Sequence, residues 1–465
     1  MCGIAGFIKF NNNLSKSKEI LLEFAKKLSH RGPDSSGYWI SDENRVGFAH
    51  TRLSIQDLSL NGSQPMTSKN ARYVIVYNGE IYNFLKLKKI LQENGIVFKS
   101  SSDTEVLLEY ISFFGIDKTL DQLEGMFAFA IYDKFNKYLY LVRDRIGEKP
   151  LYYGKINNNF FFSSELKIFK IFKDQIKISQ KAVSEYLKYN YIPSNLSIYE
   201  NIYKLIPGSY LKIDLSEKKL IDEYEIANWW KIESNLNNNK NQIANSNAND
   251  IDELDKILNH AVKKQLISDV PIGCFLSGGI DSSLIASYMQ ANIEKNINTF
   301  SIGFKNKEYD ESLFSQQISK FLKTNHYQLM IDYGDIKNSI PNLVDVYDEP
   351  YADTSQIPTL FMSKFAKEKV GVVLSGDGGD ELFGGYNRYV WAPKILKYKA
   401  NYFLKTIFNL LNANSIEKLY KIISPFLYSK YKFKSPKDKI LKLKYVINQK
   451  NSLEIYKTLT RNNDN

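Results

Sequence analysis

Two short apolar runs, Ile272–Leu276 and Val370–Leu374, each break into a cluster of glycines and acids. The first cluster is Ser277-Gly278-Gly279-Ile280-Asp281-Ser282-Ser283, followed by a helical pattern through Gln290. The second is Ser375-Gly376-Asp377-Gly378-Gly379-Asp380-Glu381. Runs this short and this apolar read as buried strands, and the glycines mark tight strand-to-helix turns. A further strand over Asn298–Phe304, a helix over Asp310–Leu322 and a strand over His326–Ile331 continue the alternation. Before it, Ile251, Leu254, Ile257, Leu258, Ala261, Val262 and Leu266 share one face of a helix over Ile251–Ile267. Strands and helices alternating at this length predict a parallel sheet covered on both sides. Ligands in such sheets lie beyond the carboxyl ends of strands, where both clusters fall. Glycines let backbone N–H groups approach an anion, and the helix dipole favours its charge.

The first half has a different rhythm. Strand patterns at Gly3–Phe10 and Arg45–Ala49 bracket a helix near Ser17–Leu28. A turn-rich His30-Arg31-Gly32-Pro33-Asp34 follows it. A helix over Phe84–Asn94 is closed by Gly95, and Ser102 with Glu105 has capping-box spacing. Gly125–Tyr132 and Lys137–Val142 read as paired strands around the turn Asp133–Asn136.

Cys2 follows the initiator directly. Its small side chain permits removal of Met1, which would leave one residue with both a thiol and a free α-amine. That amine titrates at about 7.7–8.0 and can take the thiol proton without a separate histidine. Further along, Asn78 and the Gly79 backbone N–H can hold an oxyanion. Arg52 has the planar fork that grips a carboxylate, and Asp103 with Glu80 can bind an α-ammonium. Each residue alone has an ordinary reading: Asn78-Gly79 as a hairpin turn, Arg52 as a surface charge, Asp103 as a helix cap. Together they describe a pocket for an amino-acid amide. His30 and His50 read as structural hydrogen-bonders.

Composition narrows the setting. The chain has 465 residues, 43% hydrophobic and 24% charged, enough for two or three domains. Two cysteines, Cys2 and Cys274, imply no disulfide framework and fit a reducing, cytoplasmic compartment. There is no signal-peptide pattern and no apolar run of about 20 residues to span a bilayer. The net charge of +11 is spread rather than clustered, so nucleic acid is not expected as a partner. The polar stretch Asn235–Asp250 reads as linker.

The first-half set resembles the class II glutamine amidotransferases, which are N-terminal-nucleophile hydrolases. That resemblance implies an αββα sandwich, with Cys2, Asn78 and Gly79 catalytic. It implies that Arg52, Leu53, Ser54, Ile55, Gln56, Glu80 and Asp103 bind glutamine. The Ser277 loop lacks the Gly-Lys-Ser/Thr ending of a Walker A loop and looks like a pyrophosphate loop of enzymes that split ATP between the α- and β-phosphates. The two halves in this order resemble glutamine-dependent asparagine synthetases. That resemblance implies an α/β and α+β two-domain chain: 1–220 amidotransferase, 221–250 linker, 251–465 ATP-pyrophosphatase domain. It implies that Ser277, Gly278, Gly279, Asp281 and Ser282 hold pyrophosphate, and that Leu276, Ile302, Ser375 and Gly376 contact the nucleotide. Asp281 and Asp380 are candidate Mg²⁺ ligands. Asp345 and Glu349 are both candidates for a base in the synthetase reaction. The expected small molecules are glutamine, aspartate and ATP, with no membrane partner; a homodimer is a candidate assembly.

The motif resemblance stops near residue 390. Beyond it, Trp391–Asn465 reads as amphipathic helices, with Tyr402, Phe403, Ile407, Leu410 and Leu411 at helical spacing. Lysine-rich faces such as Lys437–Lys444 read as solvated. The family's phosphate-binding lysine has no evident counterpart here, and the chain reads as shortened after Asn465. Three functions follow as expectations: an asparagine synthetase, an amidotransferase for another carboxylate, or a glutaminase with a nucleotide-binding second half.

Overall fold

The computed structural model describes residues 1–9, 16–216, 224–233, 249–306, 310–399, 445–449 and 451–461. Residues 235–248 of the expected linker, Tyr402 through Leu411, Lys437–Lys444 and Asn462–Asn465 lie outside them. The chain divides into two compact units, Met1–Val183 with Ile192–Ser375, and Ser184–Tyr191 with Gly376–Asn465.

The first unit contains three sheets. Its strands are β1 (Gly3–Ile8), β2 (Ser35–Ile40), β3 (Val46–Arg52), β4 (Met66–Thr67), β5 (Tyr73–Ile81), β6 (Gly125–Asp133), β7 (Tyr138–Arg143) and β8 (Tyr152–Ile156). There follow β9 (Asn159–Ser163), β10 (Ile202–Lys204), β11 (Ser209–Asp214), β12 (Glu225–Asn228), β13 (Ile272–Phe275), β14 (Asn298–Phe304), β15 (Asn325–Ile331) and β16 (Val372–Leu374). Two six-stranded sheets, ordered β10-β8-β9-β1-β3-β2 and β12-β11-β7-β6-β5-β4, are antiparallel throughout. Their facing sides share one core, which joins Ile4, Ile8 and Phe48 to Val74, Val76, Ala128 and Leu141.

Helices cover the outer faces. On α1 (Ser17–Leu28), Leu21, Phe24, Ala25 and Leu28 are buried at spacings of three and four, against the first sheet. On the other side, α2 (Phe84–Glu93), α3 (Asp103–Phe114) and α4 (Ile116–Gln122) pack on Tyr73, Ile75, Phe127 and Phe129. The result is the αββα sandwich. Strand β12 and the stacking of Trp229 on Phe127, with centroids 5.9 Å apart, carry this layer system past residue 220.

Local chemistry sets the helix ends. After α2, Gly95 takes φ +83, its N–H bonds Gln92 O at 3.0 Å, and Ile96 N–H bonds Leu91 O at 3.0 Å. This pair is a Schellman motif, which needs a residue free to adopt a left-handed conformation. At α3 only half of the expected capping box forms. Ser102 Oγ accepts from Glu105 N–H at 3.3 Å. The Glu105 carboxylate turns instead to Ser100 N–H at 2.7 Å and Lys99 N–H at 2.9 Å, because those donors precede the helix and are otherwise unpaired. Strand β2 is a further difference: the turn-rich His30–Asp34 segment runs straight into an edge strand paired with β3. Its sequence alternates weakly, so tertiary pairing rather than pattern makes it a strand.

The third sheet, β15-β14-β13-β16, is parallel as expected. Helices α5 (Asn249–Lys264), α6 (Ile280–Asn292), α7 (Ser312–Leu322) and α8 (Gln356–Lys367) accompany it. In the second unit, helix Asn387–Lys399 packs on helix Ser452–Thr460 around Val446 and Ile455.

Candidate active site

Side chains alternate along a strand. Ile4 and Ile8 of β1 face the inter-sheet core, so Cys2, two residues before Ile4, points to the same side. On β5, Val74 and Val76 face that core while Tyr73, Ile75 and Tyr77 face the helices. Asn78 and Glu80 continue the inner series. One cavity is lined by Cys2, Arg52, Leu53, Ile55, Gln56, Gly79, Glu80 and Asp103, together with Gly62, Gln64, Tyr77, Ser102 and Thr104.

The thiol is held by Leu53, whose N–H donates to Cys2 Sγ at 3.4 Å and whose carbonyl accepts from it at 3.7 Å. Burial pushes its pKa up, so it needs a base. Asn78 is 1% exposed and its Nδ2 has no hydrogen-bond partner among the described residues. A buried unpaired donor costs about 1–3 kcal/mol, which an incoming oxyanion would offset. The Asn78-Gly79 pair lies inside β5, not in a hairpin turn. A Cβ on Gly79 would fall 2.3 Å from Met126 O and 2.7 Å from Phe127 Cα, so only glycine fits.

Two carboxylates face this cavity. Glu80 Oε2 accepts from Gln56 Nε2 at 2.7 Å. Asp103 Oδ2 accepts from Tyr77 OH at 2.7 Å and Ile81 N–H at 2.9 Å. Burial raises the pKa of both, and for Glu80 the neighbouring Asp103 adds to it. Such a pair is relieved by a cation of ammonium size. The Arg52 guanidinium donates to Ser59 O at 2.7 Å and also to Asp57 O, so part of its fork fixes the 56–59 loop. Ser54 and Asn78 do not line the cavity; the Ser54 N–H bonds Asp34 Oδ2 at 2.7 Å.

Both histidines have structural partners. Burial lowers the His50 pKa to about 3, and its Nε2 lies 3.2 Å from Tyr77 O. His30 Nε2 is 2.9 Å from Glu165 Oε2. The sequence reading missed the supporting network: Arg31 donates to Cys2 O at 2.9 Å and to Glu165 at 2.7 Å, and Gln64 Oε1 accepts from Tyr77 N–H at 2.6 Å. Arg31 stood inside the noted His30–Asp34 turn. Gln64 had no sequence signal, since nothing local marks a side chain that pairs with a distant strand.

The second candidate site starts at the end of β13. Gly278 takes φ +85, and a Cβ there would lie 2.6 Å from Phe314 Cβ. Ser277 Oγ and Ser282 Oγ are 2.9 Å apart, and Ser277 Oγ accepts from Gly279 N–H at 3.2 Å. These bonds shape the loop before α6, whose N-cap Gly279 offers no side-chain cap. Asp281 lies in the first turn of α6, and Leu276 N–H bonds Phe300 O at 2.8 Å. Ile302 is on β14, and Ser375 closes the first unit. Gly376 and Asp380 belong to the second unit. Among the described residues, no three His, Cys, Asp or Glu side chains are gathered to hold a metal ion.

Glu349 and Asp345 have different surroundings. Glu349 forms a 2.7 Å ion pair with Lys204 and accepts from Ile198 N–H at 2.9 Å. Burial raises its pKa, against the pull of Lys204. Asp345 is exposed on a short helix, Leu343–Val346. The neighbouring Asp348 pairs with Lys167 at 3.1 Å.

Fold and site together define an amidotransferase sandwich carried on the same chain as a nucleotide-loop α/β sheet. Comparison with known proteins agrees. The glutamine amidotransferase domain family matches residues 1–229. The asparagine synthase family matches residues 253–444, well past residue 390 where the motif resemblance ended. A candidate glutamine-hydrolysing asparagine synthetase 2 of Methanocaldococcus jannaschii is 38% identical over 407 residues, 83% of this chain and 76% of that protein. Asparagine synthetases [glutamine-hydrolyzing] 1 and 3 of Bacillus subtilis are 35% and 33% identical, over 84% and 83% of this chain. The chain spans 59% and 63% of the length of those two relatives. It belongs to the glutamine-hydrolysing asparagine synthetase family.

Proposed function

We infer that this chain is a glutamine-dependent, ATP-consuming asparagine synthetase, a carbon–nitrogen ligase. The observation that carries the glutaminase half is the gathering of Cys2, Arg52, Gly79, Glu80 and Asp103 around one cavity, with the buried Asn78 Nδ2, unpartnered among the described residues, next in sequence to Gly79. The Cys2 thiolate attacks the glutamine side-chain carbonyl, and its proton passes through the α-amine to the departing ammonia. The C–N bond breaks, and Asn78 with Gly79 N–H holds the oxyanion. Water then cleaves the thioester and releases glutamate. Arg52 addresses the substrate carboxylate; Glu80 and Asp103 address its ammonium. Backbone groups of Leu53, Ser54, Ile55 and Gln56 border the substrate in this reading.

In the second half, the aspartate β-carboxylate attacks the α-phosphorus of ATP. Pyrophosphate leaves into the loop of Ser277, Gly278, Gly279, Asp281 and Ser282, and a β-aspartyl-adenylate forms. The nucleotide rests on Leu276, Ile302, Ser375 and Gly376. Ammonia attacks the acyl carbon, AMP leaves, and a carboxylate takes the extra proton. Burial, which raises the proton affinity of Glu349 against the pull of Lys204, favours it over the exposed Asp345 for that proton. Mg²⁺ would neutralise phosphate charge. Asp281 and Asp380 are its proposed ligands, sharing the ion with phosphate oxygens. The division proposed is amidotransferase over 1–220, carried on by β12 through Asn228, a linker in the part of 221–250 after that strand, and synthetase from 251. No helix among the described residues is long and apolar enough to cross a membrane; the cytoplasm and a homodimer complete the reading, the latter checked by light scattering.

The test is sequential. Ammonia should be released from glutamine by the native chain and not by Cys2→Ala. AMP and pyrophosphate should then form in equal amounts when ATP, Mg²⁺ and aspartate are added. Ammonia without AMP would reduce the function to glutaminase, and AMP only with another carboxylate would change the acceptor.

A further inference from the structure

The turn after Arg52 is tied down from outside the sandwich. Asp57 N–H donates to Asp269 Oδ2 at 2.8 Å, and Asp269 N–H donates to Ile55 O at 2.9 Å. Asp269 lies in the connection between α5 and β13. The backbone it grips is one that needs holding. Asp57 has φ +55, a left-handed conformation that is uncommon outside glycine and persists where surrounding bonds maintain it. The Asp57 carboxylate accepts from Ser59 N–H at 2.9 Å and from Ser101 N–H, just before α3, at 2.8 Å. Its carbonyl accepts from Arg52. Ile55 and Gln56 line the glutamine cavity, and Gln56 reaches Glu80 at 2.7 Å. One turn therefore carries contacts to the guanidinium, to a cavity carboxylate and to the start of the helix that bears Asp103.

We propose that Asp269 is a positioning residue for glutamine, supplied to the amidotransferase cavity by the α/β part of the chain. Its carboxylate holds the Asp57 N–H, and through it the turn that sets Gln56 and Arg52. The proposal rests on the reading of this cavity as the glutamine site. The Asp269 side chain is exposed, so its grip depends on a backbone that stays in place. That backbone is fixed on both sides. Ser268 Oγ donates to Val270 O at 3.0 Å, and Pro271 O accepts from Gly371 N–H at 3.0 Å. The chain then enters β13, which is paired with β14 on one edge and β16 on the other. A contact between the same two parts of the chain, Lys264 with Glu124, involves no residue of the cavity lining.

Steady-state ammonia release from glutamine by the full chain reads KM and kcat separately. Asp269→Ala should raise KM by about five- to tenfold, with kcat within about twofold of native, because Cys2 and Asn78 are untouched. Asp269→Asn keeps an oxygen that can accept from Asp57 N–H and should recover most of the affinity. Lys264→Ala removes the other contact and should leave KM native. An unchanged KM in Asp269→Ala overturns the proposal. So does an equal rise in Asp269→Asn, since the acceptor would not matter, or in Lys264→Ala, since any loosening of the two parts would then suffice. A second measurement decides the matter even if Asp269→Ala does not fold. In Cys2→Ala, which leaves glutamine intact, saturating glutamine should slow hydrogen exchange over residues 267–271, because ligand and grip stabilise each other. Unaltered exchange there overturns the proposal. A native chain that releases no ammonia removes the glutamine reading and the proposal with it, whereas an unmoved KM in active Asp269→Ala leaves that reading standing.

Discussion

The glutamine cavity and the nucleotide loop solve opposite problems. The first is assembled between layers, from β1, β3, β5 and the first turn of α3, and its polar atoms are buried. Among the described residues, Gln56 Oε1 in the lining has no partner, and neither has the buried Asn78 Nδ2 next to Gly79 in sequence. The second is one contiguous turn with Ser277 and Gly279 exposed, held by two serine hydroxyls. A site that stabilises charge developing during reaction gains from fixed dipoles in a dry cavity. A site that receives a large polyanion gains from an open loop of backbone donors. Pre-organisation is therefore expected to dominate in one place and accessibility in the other.

The largest effect that would break this contrast is at the unpaired donor. Asn78→Ala should lower kcat for glutamine hydrolysis by about 10²–10³-fold with little change in KM. A rise in KM alone, in steady-state ammonia assays, would make Asn78 a ground-state contact. At the loop, Gly278→Val meets Phe314 and a left-handed backbone at once. AMP formation should drop by roughly tenfold or more, while glutamine hydrolysis without ATP keeps its native rate. Equal loss of both activities would show that the two regions are not separable.

The buried acids sharpen the comparison through pH. Glu80 and Asp103 have folded pKa values raised by burial above their unfolded values. Each binds its proton more tightly when folded, so stability falls as pH rises from the unfolded value through the folded one. Glutamine binds the ionised pair and reverses this, so its stabilisation of the fold should grow with pH, as read by thermal melting. Glu80→Gln should raise the melting temperature of the free protein at neutral pH and raise KM for glutamine by about tenfold. The smallest effect is at the α3 cap. Ser102→Ala should cost about 1 kcal/mol in chemical denaturation. A larger loss would mean that the Ser100–Ser102–Glu105 network supports the cavity wall as well.

Much of this was legible in order along the chain. Gly95 closes α2 because a left-handed residue was needed there, and the short Ile272–Phe275 run could only be a buried strand before a glycine turn. The Cys2, Asn78, Glu80 and Asp103 types announced amide chemistry. Their convergence was not readable from spacing, because it depends on which strands pair and on which face each residue falls. Strand β2 and the turning of Glu105 away from its cap were hidden for the same reason.

The amino-acid order by itself determined the elements and the chemical types: local propensity, capping and period-two or helical patterning act within a few residues and need no partner. Only the tertiary structure decided which groups lost water and which stayed unpaired. Burial of Asn78 and of the Glu80–Asp103 pair comes from elements distant in the chain closing on one another, and desolvation of that kind has no signature in the local sequence.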